Sequence, residues 1–273
     1  QAFGTTGPYQ HRIGFDQIMK GVSGAMSISG FPHNPTKEQA PHIDYMTATL
    51  TALGIVSAIY HRAQTGEGQA IDTCLLQTGV TFMAPFLAEW ELAQMRRLQV
   101  GNRSHFLGTS DLFPTKDGRW VFICLITNSI WRRFCRYIGR EDLANDPRFK
   151  EDWNRWEHRD ILDPVVSQWV ASKTVEEVIA EAEKIPIPAG KCYDQSEVAN
   201  DPQVKAIGAL SQVPFPDGST NVNVTSPPIK MSATPTKIYR SFPTLGQDNN
   251  SVYGKLLGYS KTKIAKLKEE GII

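Results

Sequence analysis

Residues 41–69 read PHIDYMTATLTALGIVSAIYHRAQTGEGQ and contain the most regular helical pattern of the chain. Apolar side chains recur at spacings of three and four, which predicts a helix over residues 44–63. Thr65-Gly66 is a typical helix stop, because glycine readily adopts the left-handed conformation that ends a helix. Asp44 is the one carboxylate in the apolar opening of this segment.

Asp44 has two interpretations on these residues alone. Aspartate is a favoured cap for the first turn of a helix, where backbone N–H groups lack partners and negative charge is stabilised. A carboxylate held ionised and immobile at such a place is also what a carboxylate nucleophile requires. Spacing alone favours the cap.

The composition limits the function classes. The chain has 273 residues, 41% of them hydrophobic, and a formal net charge of +1, which indicates a globular protein without a general attraction for nucleic acid. No uninterrupted apolar run reaches the roughly 18–20 residues that cross a bilayer, so no membrane partner is expected. The four cysteines form no metal-ligand pattern, which predicts reduced thiols, no metal site and a cytoplasmic location.

The remaining pattern divides the chain into three parts. Residues 1–107 are predicted to form an α/β portion of a large domain, 108–198 a small α+β domain, and 199–273 a segment that returns to the large domain. Lys116-Asp117-Gly118 is a strong turn signal between two strands. The predicted helices cover residues 16–26, 44–63, 75–95, 128–138, 141–145, 158–171, 174–184 and 260–270, and the predicted strands cover 69–73, 110–114 and 119–125.

Eleven short motifs then occur in one order along the chain. They are Gly4-x-x-Gly7-Pro8-Tyr9, Gly14-Phe15-Asp16-Gln17, Ser23-Gly24, Asp44, Arg62-x-x-Thr65-Gly66-x-Gly68-Gln69, Gly101-Asn102, Asp146-Pro147-Arg148-Phe149, Pro186-x-Pro188-Ala189-Gly190, Asp201-Pro202-Gln203-Val204, Ser226-Pro227-Pro228-Ile229 and Leu257-Gly258-Tyr259-Ser260. In this order they resemble the family III CoA-transferases, the CaiB/BaiF group. The resemblance extends over essentially all 273 residues.

The resemblance implies a fold and an assembly. The family has an α/β fold with a Rossmann-like large domain, a small α+β domain and two subunits interlocked as linked rings. The chain begins at Gln1 inside a glycine-rich loop, so we expect the N-terminal part of the large domain, with much of the CoA nucleotide pocket, to be missing here. The residues that bind CoA are therefore not identified.

The resemblance also implies a reaction. Asp44 occupies the position of the family's nucleophile, which attacks an acyl-CoA thioester and passes through a mixed anhydride to an aspartyl-CoA thioester. An acceptor carboxylic acid then reacts with that thioester. CoA and acyl-CoA are expected as substrates rather than as a permanently bound cofactor, and succinyl-CoA is a common donor in such enzymes.

Further residues are predicted to line the active site. Asp16 lies where family members carry an acidic residue, but it could equally cap the helix that follows it. Gly101, Asn102 and Arg103 open a loop over residues 101–108 that is either a lid or a plain connection. Arg103 is either a ligand for a substrate carboxylate or a solvated surface cation.

Phe15 separates the leading function from its first alternative. The related acyl-CoA racemases carry a histidine base at this place, and a phenyl ring cannot accept a proton. The sequence therefore favours a CoA-transferase acting through Asp44 over a racemase or epimerase. A second alternative is a non-catalytic CoA-binding subunit. The expected partners are acyl-CoA, small carboxylic acids and a second subunit, either identical or paralogous.

Overall fold

A computed structural model describes all residues, Gln1–Ile273. The chain separates into two compact units, Gln1–Cys192 and Tyr193–Ile273. The three-part domain division suggested by the sequence, with boundaries at 107/108 and 198/199, stays a prediction.

The first half of unit one is mainly helical. Its helices are α1 (Asp16–Val22), α2 (Ala25–Ile28), α3 (His42–Thr65), α4 (Leu75–Phe82) and α5 (Ala84–Ala93), with a two-stranded antiparallel ribbon of β1 (Gly30–Phe31) and β2 (Asn34–Pro35) before α3. Helix α3 has 24 residues and ends at Gly66, whose φ of 81° is the left-handed value expected of a C-cap. The predicted helix over 44–63 is therefore confirmed, with two further residues at each end.

Three predictions for this half are wrong. The single helix predicted over 16–26 divides into α1 and α2, because Gly24 between them adopts a left-handed φ of 95°. The single helix predicted over 75–95 breaks at Met83, because Pro85 lies in the first turn of a new helix, where its missing N–H costs no hydrogen bond. Residues 69–73 form no strand, since an extended segment becomes a strand only where another segment pairs with its backbone.

The second half of unit one contains a three-stranded antiparallel sheet in the order β3-β4-β5. Its strands are β3 (Ser110–Pro114), β4 (Trp120–Cys124) and β5 (Ala189–Lys191), and Leu112 pairs with Phe122 in the middle of the predicted hairpin. The helices are α6 (Asn128–Tyr137), α7 (Glu141–Asn145), α8 (Asp152–Glu157), α9 (Arg159–Ala171) and α10 (Val175–Lys184), with a 3₁₀ turn at Pro147–Phe149.

The largest buried cluster of the chain covers one face of this sheet. Ile123 of β4, Trp131 and Phe134 of α6, and Leu162 of α9 are all at most 1% exposed. Burial of such side chains is the main favourable term in folding. The apolar core therefore lies between Phe113 and Ile187, while α3 lies outside it.

Helix α3 buries little of its surface. Only Ile43 and Thr47 are buried, and apolar side chains such as Leu53, Val56 and Tyr60 are more than half exposed. By its length of 24 residues and its apolar composition alone, the helix could cross a membrane. Only 11% of its most apolar stretch is buried within the chain. One helix of this kind is weak evidence for a span, since core helices of soluble proteins meet the same criterion.

Unit two contains a hairpin that the sequence did not predict. Strands β6 (Leu210–Pro214) and β7 (Asn221–Thr225) pair antiparallel across a turn in which Gly218 has a φ of 72°. The other elements are α11 (Gln195–Asn200), α12 (Pro202–Ala206), a π-helical segment (Asn250–Leu256) and the predicted C-terminal helix, α13 (Lys261–Glu269). All strand pairs in the chain are antiparallel, so residues 1–273 contain no parallel Rossmann-type sheet.

The loop before β3 is clamped at Ser104. The N–H of Ser104 donates to Asp111 Oδ1 at 2.8 Å, and its carbonyl accepts from Arg159 at 2.9 Å and from the Trp156 indole at 3.3 Å. Gly108 packs so closely on α8 that a Cβ there would lie 2.7 Å from the Cβ of Arg155. The loop over 101–108 is therefore held against α8 and α9.

The clamp includes a carboxylate that is costly to ionise. Burial, and then repulsion from Asp163, raise the pKa of Asp111 from 3.8 to about 6, although the Ser104 N–H opposes the shift. The folded chain therefore binds more protons than the unfolded chain between these two values. Stability from this group is present below pH 3.8 and is lost as the pH rises through about 6.

We expect Asp111→Asn to remove this loss, because the amide oxygen can still accept from Ser104 while carrying no charge. The fall in unfolding free energy from about pH 4 to about pH 7 should shrink by roughly 2 kcal/mol relative to the wild type. Urea unfolding across this pH range measures it. Glu91→Gln, an exposed change on α5, is the control and should run parallel to the wild type. A parallel profile for Asp111→Asn would contradict the assignment.

Candidate active site

Asp44 lies in the first turn of α3, as its third residue, and its side chain is exposed. The residue that precedes the helix, Pro41, makes no side-chain cap. No hydrogen bond or ion pair holds the Asp44 carboxylate. The simple expectation that Asp44 caps its own helix is therefore wrong, because the carboxylate sits inside the helix instead of before it.

Asp16 caps α3 from another helix. Its Oδ2 accepts hydrogen bonds from the backbone N–H of Ile43 at 2.9 Å and of Asp44 at 3.2 Å. These are two of the N–H groups that a helix start leaves without an intrahelical partner. The structure therefore gives Asp16 a capping role, as one of its two predicted interpretations proposed, but the helix it caps is α3 and not its own.

Lys20 neutralises this buried carboxylate. Its Nζ lies 3.1 Å from Asp16 Oδ1, and the two residues are 1% and 4% exposed. The same ammonium donates to the carbonyl of Ala40, just before α3, and approaches the carbonyl of Glu38 at 3.4 Å. Burying a charge is tolerated where an opposite charge and hydrogen bonds compensate it.

The buried face of α3 is fixed by α4 and α1. Thr47 donates to the carbonyl of Ile43 and hydrogen-bonds Thr78 of α4, both at 2.8 Å. Gly79 permits this close approach, because a Cβ there would lie 2.9 Å from the Cβ of Ser23 and 3.2 Å from Ile43. The backbone that carries Asp44 is thus held by a cap at its end and by packing one turn later.

Phe15 lies next to Asp16 in the chain, and its side chain is exposed to solvent. It precedes the first residue of α1, and 69% of its surface is exposed. Its carbonyl accepts from the Met19 N–H at 3.1 Å, which is an ordinary helix bond. The position therefore presents a phenyl ring and no group that could move a proton.

The predicted lid residues contact other partners than Asp44. Gly101, with a φ of 70°, donates to the carbonyl of Gly30 at 2.8 Å, and the Asn102 carbonyl accepts from Leu112 at 3.4 Å. Arg103 contacts two carboxylates, Asp160 at 2.8 Å and Asp163 at 3.0 Å. The guanidinium of Arg103 is therefore already engaged within the chain.

These three residues do share one cleft. It has a volume of about 540 Å³, and its walls include Gly101, Asn102, Arg103, Asp111 and Asp163. Asp163 is 8% exposed, and burial raises its pKa while Arg103 opposes that shift. Asp44 is not among the residues that line this cleft. A role of residues 101–103 in the chemistry of Asp44 therefore stays a prediction.

The sequence reasoning missed Lys20. The sequence does contain an indication of the Asp16–Lys20 ion pair, because an aspartate and a lysine four residues apart lie on the same side of a helix. Such pairs are usually solvated, and nothing local shows that this one is buried. No group of three or more His, Cys, Asp or Glu side chains in the chain is arranged to hold a metal ion.

Comparison with known proteins gives the family. The model of CoA-transferase family III matches residues 1–249. Succinyl-CoA–D-citramalate CoA-transferase of Chloroflexus aurantiacus is 31% identical over 99% of the chain and 67% of its own length. Succinyl-CoA–L-malate CoA-transferase alpha subunit of the same species is 29% identical over 99% of the chain and 64% of its own length. The chain thus spans about two thirds of these relatives.

A solved structure confirms the predicted fold. A CaiB/BaiF family protein from Brucella suis matches with a TM-score of 0.77 and 26% identity, over 94% of this chain and 66% of that one. The shared fold agrees with the mixture of helices and strands described above. The chain therefore belongs to CoA-transferase family III, the CaiB/BaiF group, as its ordered motifs predicted.

Proposed function

We propose that the protein is a CoA-transferase that moves CoA from an acyl-CoA donor to a carboxylic acid, with Asp44 as its nucleophile. The observation that carries the proposal is the state of Asp44. Its carboxylate is exposed and has no hydrogen-bond or ion-pair partner in the chain, although it lies in the first turn of a helix, where backbone N–H groups lack partners. Because Asp16 accepts the hydrogen bonds of the N–H groups at the start of α3, the Asp44 carboxylate is available to react.

The first half of the reaction loads the enzyme with CoA. A carboxylate oxygen of Asp44 attacks the thioester carbonyl, the carbon–sulfur bond breaks, and a mixed anhydride and CoA thiolate result. The thiolate attacks the aspartyl carbonyl and expels the donor acid as its carboxylate. Asp44 then carries CoA as an aspartyl thioester, which is covalent catalysis by a carboxylate.

The second half transfers CoA to the acceptor. The acceptor carboxylate attacks the aspartyl thioester, which releases CoA thiolate and forms a second mixed anhydride. The thiolate attacks the acceptor carbonyl and releases Asp44 as a carboxylate. Each step exchanges one activated acyl bond for another without net proton transfer, so the thioester is conserved provided that water is excluded.

Substrates and assembly are proposed by similarity. The two Chloroflexus relatives are named for succinyl-CoA and for hydroxy acids with two carboxylates. We propose succinyl-CoA as a donor and a small organic acid as the acceptor. One of these relatives is named as an alpha subunit, which supports pairing with a paralogous chain. The proposed assembly is a pair of paralogous or identical chains, interlocked as the family resemblance implies.

Trapping of the acyl intermediate tests the nucleophile. With succinyl-CoA and hydroxylamine, the wild type should acquire a hydroxamate on Asp44, which peptide mass spectrometry locates. Asp44→Asn should acquire none and should lose transfer activity by roughly 10³-fold or more, because the reacting group is gone.

The matched control is Glu67→Gln, which removes a carboxylate just beyond the other end of the same helix. It should keep both the adduct and the activity. An active wild type whose Asp44 stays unmodified would overturn the assignment.

Proton exchange separates transfer from the racemase alternative. The position before Asp16 offers a phenyl ring and no base. In deuterated water, a 2-methylacyl-CoA incubated with the wild type should take up no deuterium at its α-carbon while CoA transfer proceeds. Deuterium uptake at a rate comparable to transfer would favour the racemase.

A further inference from the structure

We infer that the buried Asp16–Lys20 pair is the positioning element of this reaction: it caps α3 in place of Asp44, holds the backbone that carries Asp44, and so leaves the Asp44 carboxylate unoccupied. The inference rests on the proposed function of Asp44. It assigns to Asp16 a role without substrate contact, since only 4% of Asp16 is exposed, and it gives Lys20 a function.

The identity of the residue before α3 explains why Asp44 stays unoccupied. A carboxylate at the third helical position commonly turns back to the backbone N–H of the capping residue. That residue is Pro41, and proline has no N–H. The side chain of Asp44 thus lacks the local partner that would hold it against the backbone.

Asp16 fills the gap that Pro41 leaves. An effective cap accepts from the N–H of the second or third helical residue. Asp16 Oδ2 accepts from both, Ile43 at 2.9 Å and Asp44 at 3.2 Å. The acceptor belongs to the first residue of α1 and not to the segment that leads into α3.

Lys20 makes this arrangement possible inside the protein. Apart from the ion pair with Lys20, Asp16 Oδ1 has no hydrogen-bond partner. Lys20 also donates to the carbonyl of Ala40, and it therefore ties the cap to the chain that leads into α3. Lys20 also lies 3.7 Å from the Glu38 carboxylate, whereas Lys20 is the ion-pair partner of Asp16. Loss of Lys20 would leave the buried Asp16 carboxylate uncompensated, so Asp16 depends on Lys20.

The consequence for catalysis is a change in rate without a change in binding. Neither side chain is accessible to a ligand, with exposures of 4% and 1%. A displacement of a reacting group by about 1 Å can cost on the order of 10²-fold in rate. Loss of the cap should therefore slow acylation of Asp44 at saturating acyl-CoA and leave the half-saturating concentration nearly unchanged.

Two matched double variants test this in the full chain. Asp16→Asn/Lys20→Met and Asp16→Ala/Lys20→Met both lack the ion pair, and they differ in whether an acceptor remains for the N–H groups of α3. In single-turnover trapping with succinyl-CoA and hydroxylamine, the alanine variant should acylate Asp44 about 10²-fold more slowly than the wild type. The asparagine variant should acylate Asp44 at least about tenfold faster than the alanine variant. The half-saturating concentration of succinyl-CoA should stay within about twofold of the wild-type value in both variants.

Thr174→Ala is the control for a lost cap elsewhere, since Thr174 closes the capping box of α10. It should lower the unfolding temperature and leave the acylation rate unchanged. Should the alanine double variant not fold, Asp16→Glu replaces it. This change keeps the charge and Lys20 but moves the acceptor by one methylene, and it should slow acylation with unchanged half-saturation.

The outcomes are distinguishable. A wild type that shows transfer without acylation at Asp44 overturns the proposed function and this inference with it. A wild type that is acylated at Asp44, together with a folded alanine or glutamate variant that acylates at the wild-type rate, overturns the inference alone. Equal slowing of the asparagine and alanine variants also overturns it, because the acceptor would then have no effect.

Discussion

The hydrogen bonds from Ile43 and Asp44 to Asp16 are the constraint on which the account of this protein depends. Helix α3 buries only Ile43 and Thr47, so its buried side chains all lie in its first two turns. A carboxylate that belongs to α1, 28 positions earlier in the chain, supplies the missing acceptor. The backbone position of Asp44 is therefore set by tertiary structure, and its carboxylate is left free for other contacts.

Local signals predicted a large part of the fold. The end of α3 at Gly66 and the β3–β4 hairpin around Asp117-Gly118 both depend on a few neighbouring residues, and both occur as expected. The β6–β7 hairpin was missed because the prolines around it hid a pattern of strand residues. A strand at 69–73 was wrongly predicted because strand formation requires a partner, which local sequence does not specify.

The site was less accessible to sequence reasoning. The ordered motifs pointed to Asp44 through family resemblance, while its spacing alone favoured a cap. Which carboxylate caps α3 depends on a contact between distant helices, and the burial of Lys20 depends on the segment around Ala40. For the same reason Arg103 could be named but not placed: its partners, Asp160 and Asp163, come from a helix that begins more than 50 residues later.

Transfer of oxygen from the acceptor acid to Asp44 distinguishes covalent catalysis by Asp44 from direct attack of the acceptor on acyl-CoA. In a single turnover of enzyme, succinyl-CoA and an acceptor acid labelled with oxygen-18 in its carboxylate, the bridging oxygen of the second anhydride comes from the acceptor and remains on Asp44. If Asp44 is the nucleophile, the peptide that contains Asp44 gains one labelled oxygen and the donor acid stays unlabelled. Label in the donor acid after the first turnover, with Asp44 unlabelled, would show that the acceptor attacks acyl-CoA directly and would contradict this role of Asp44.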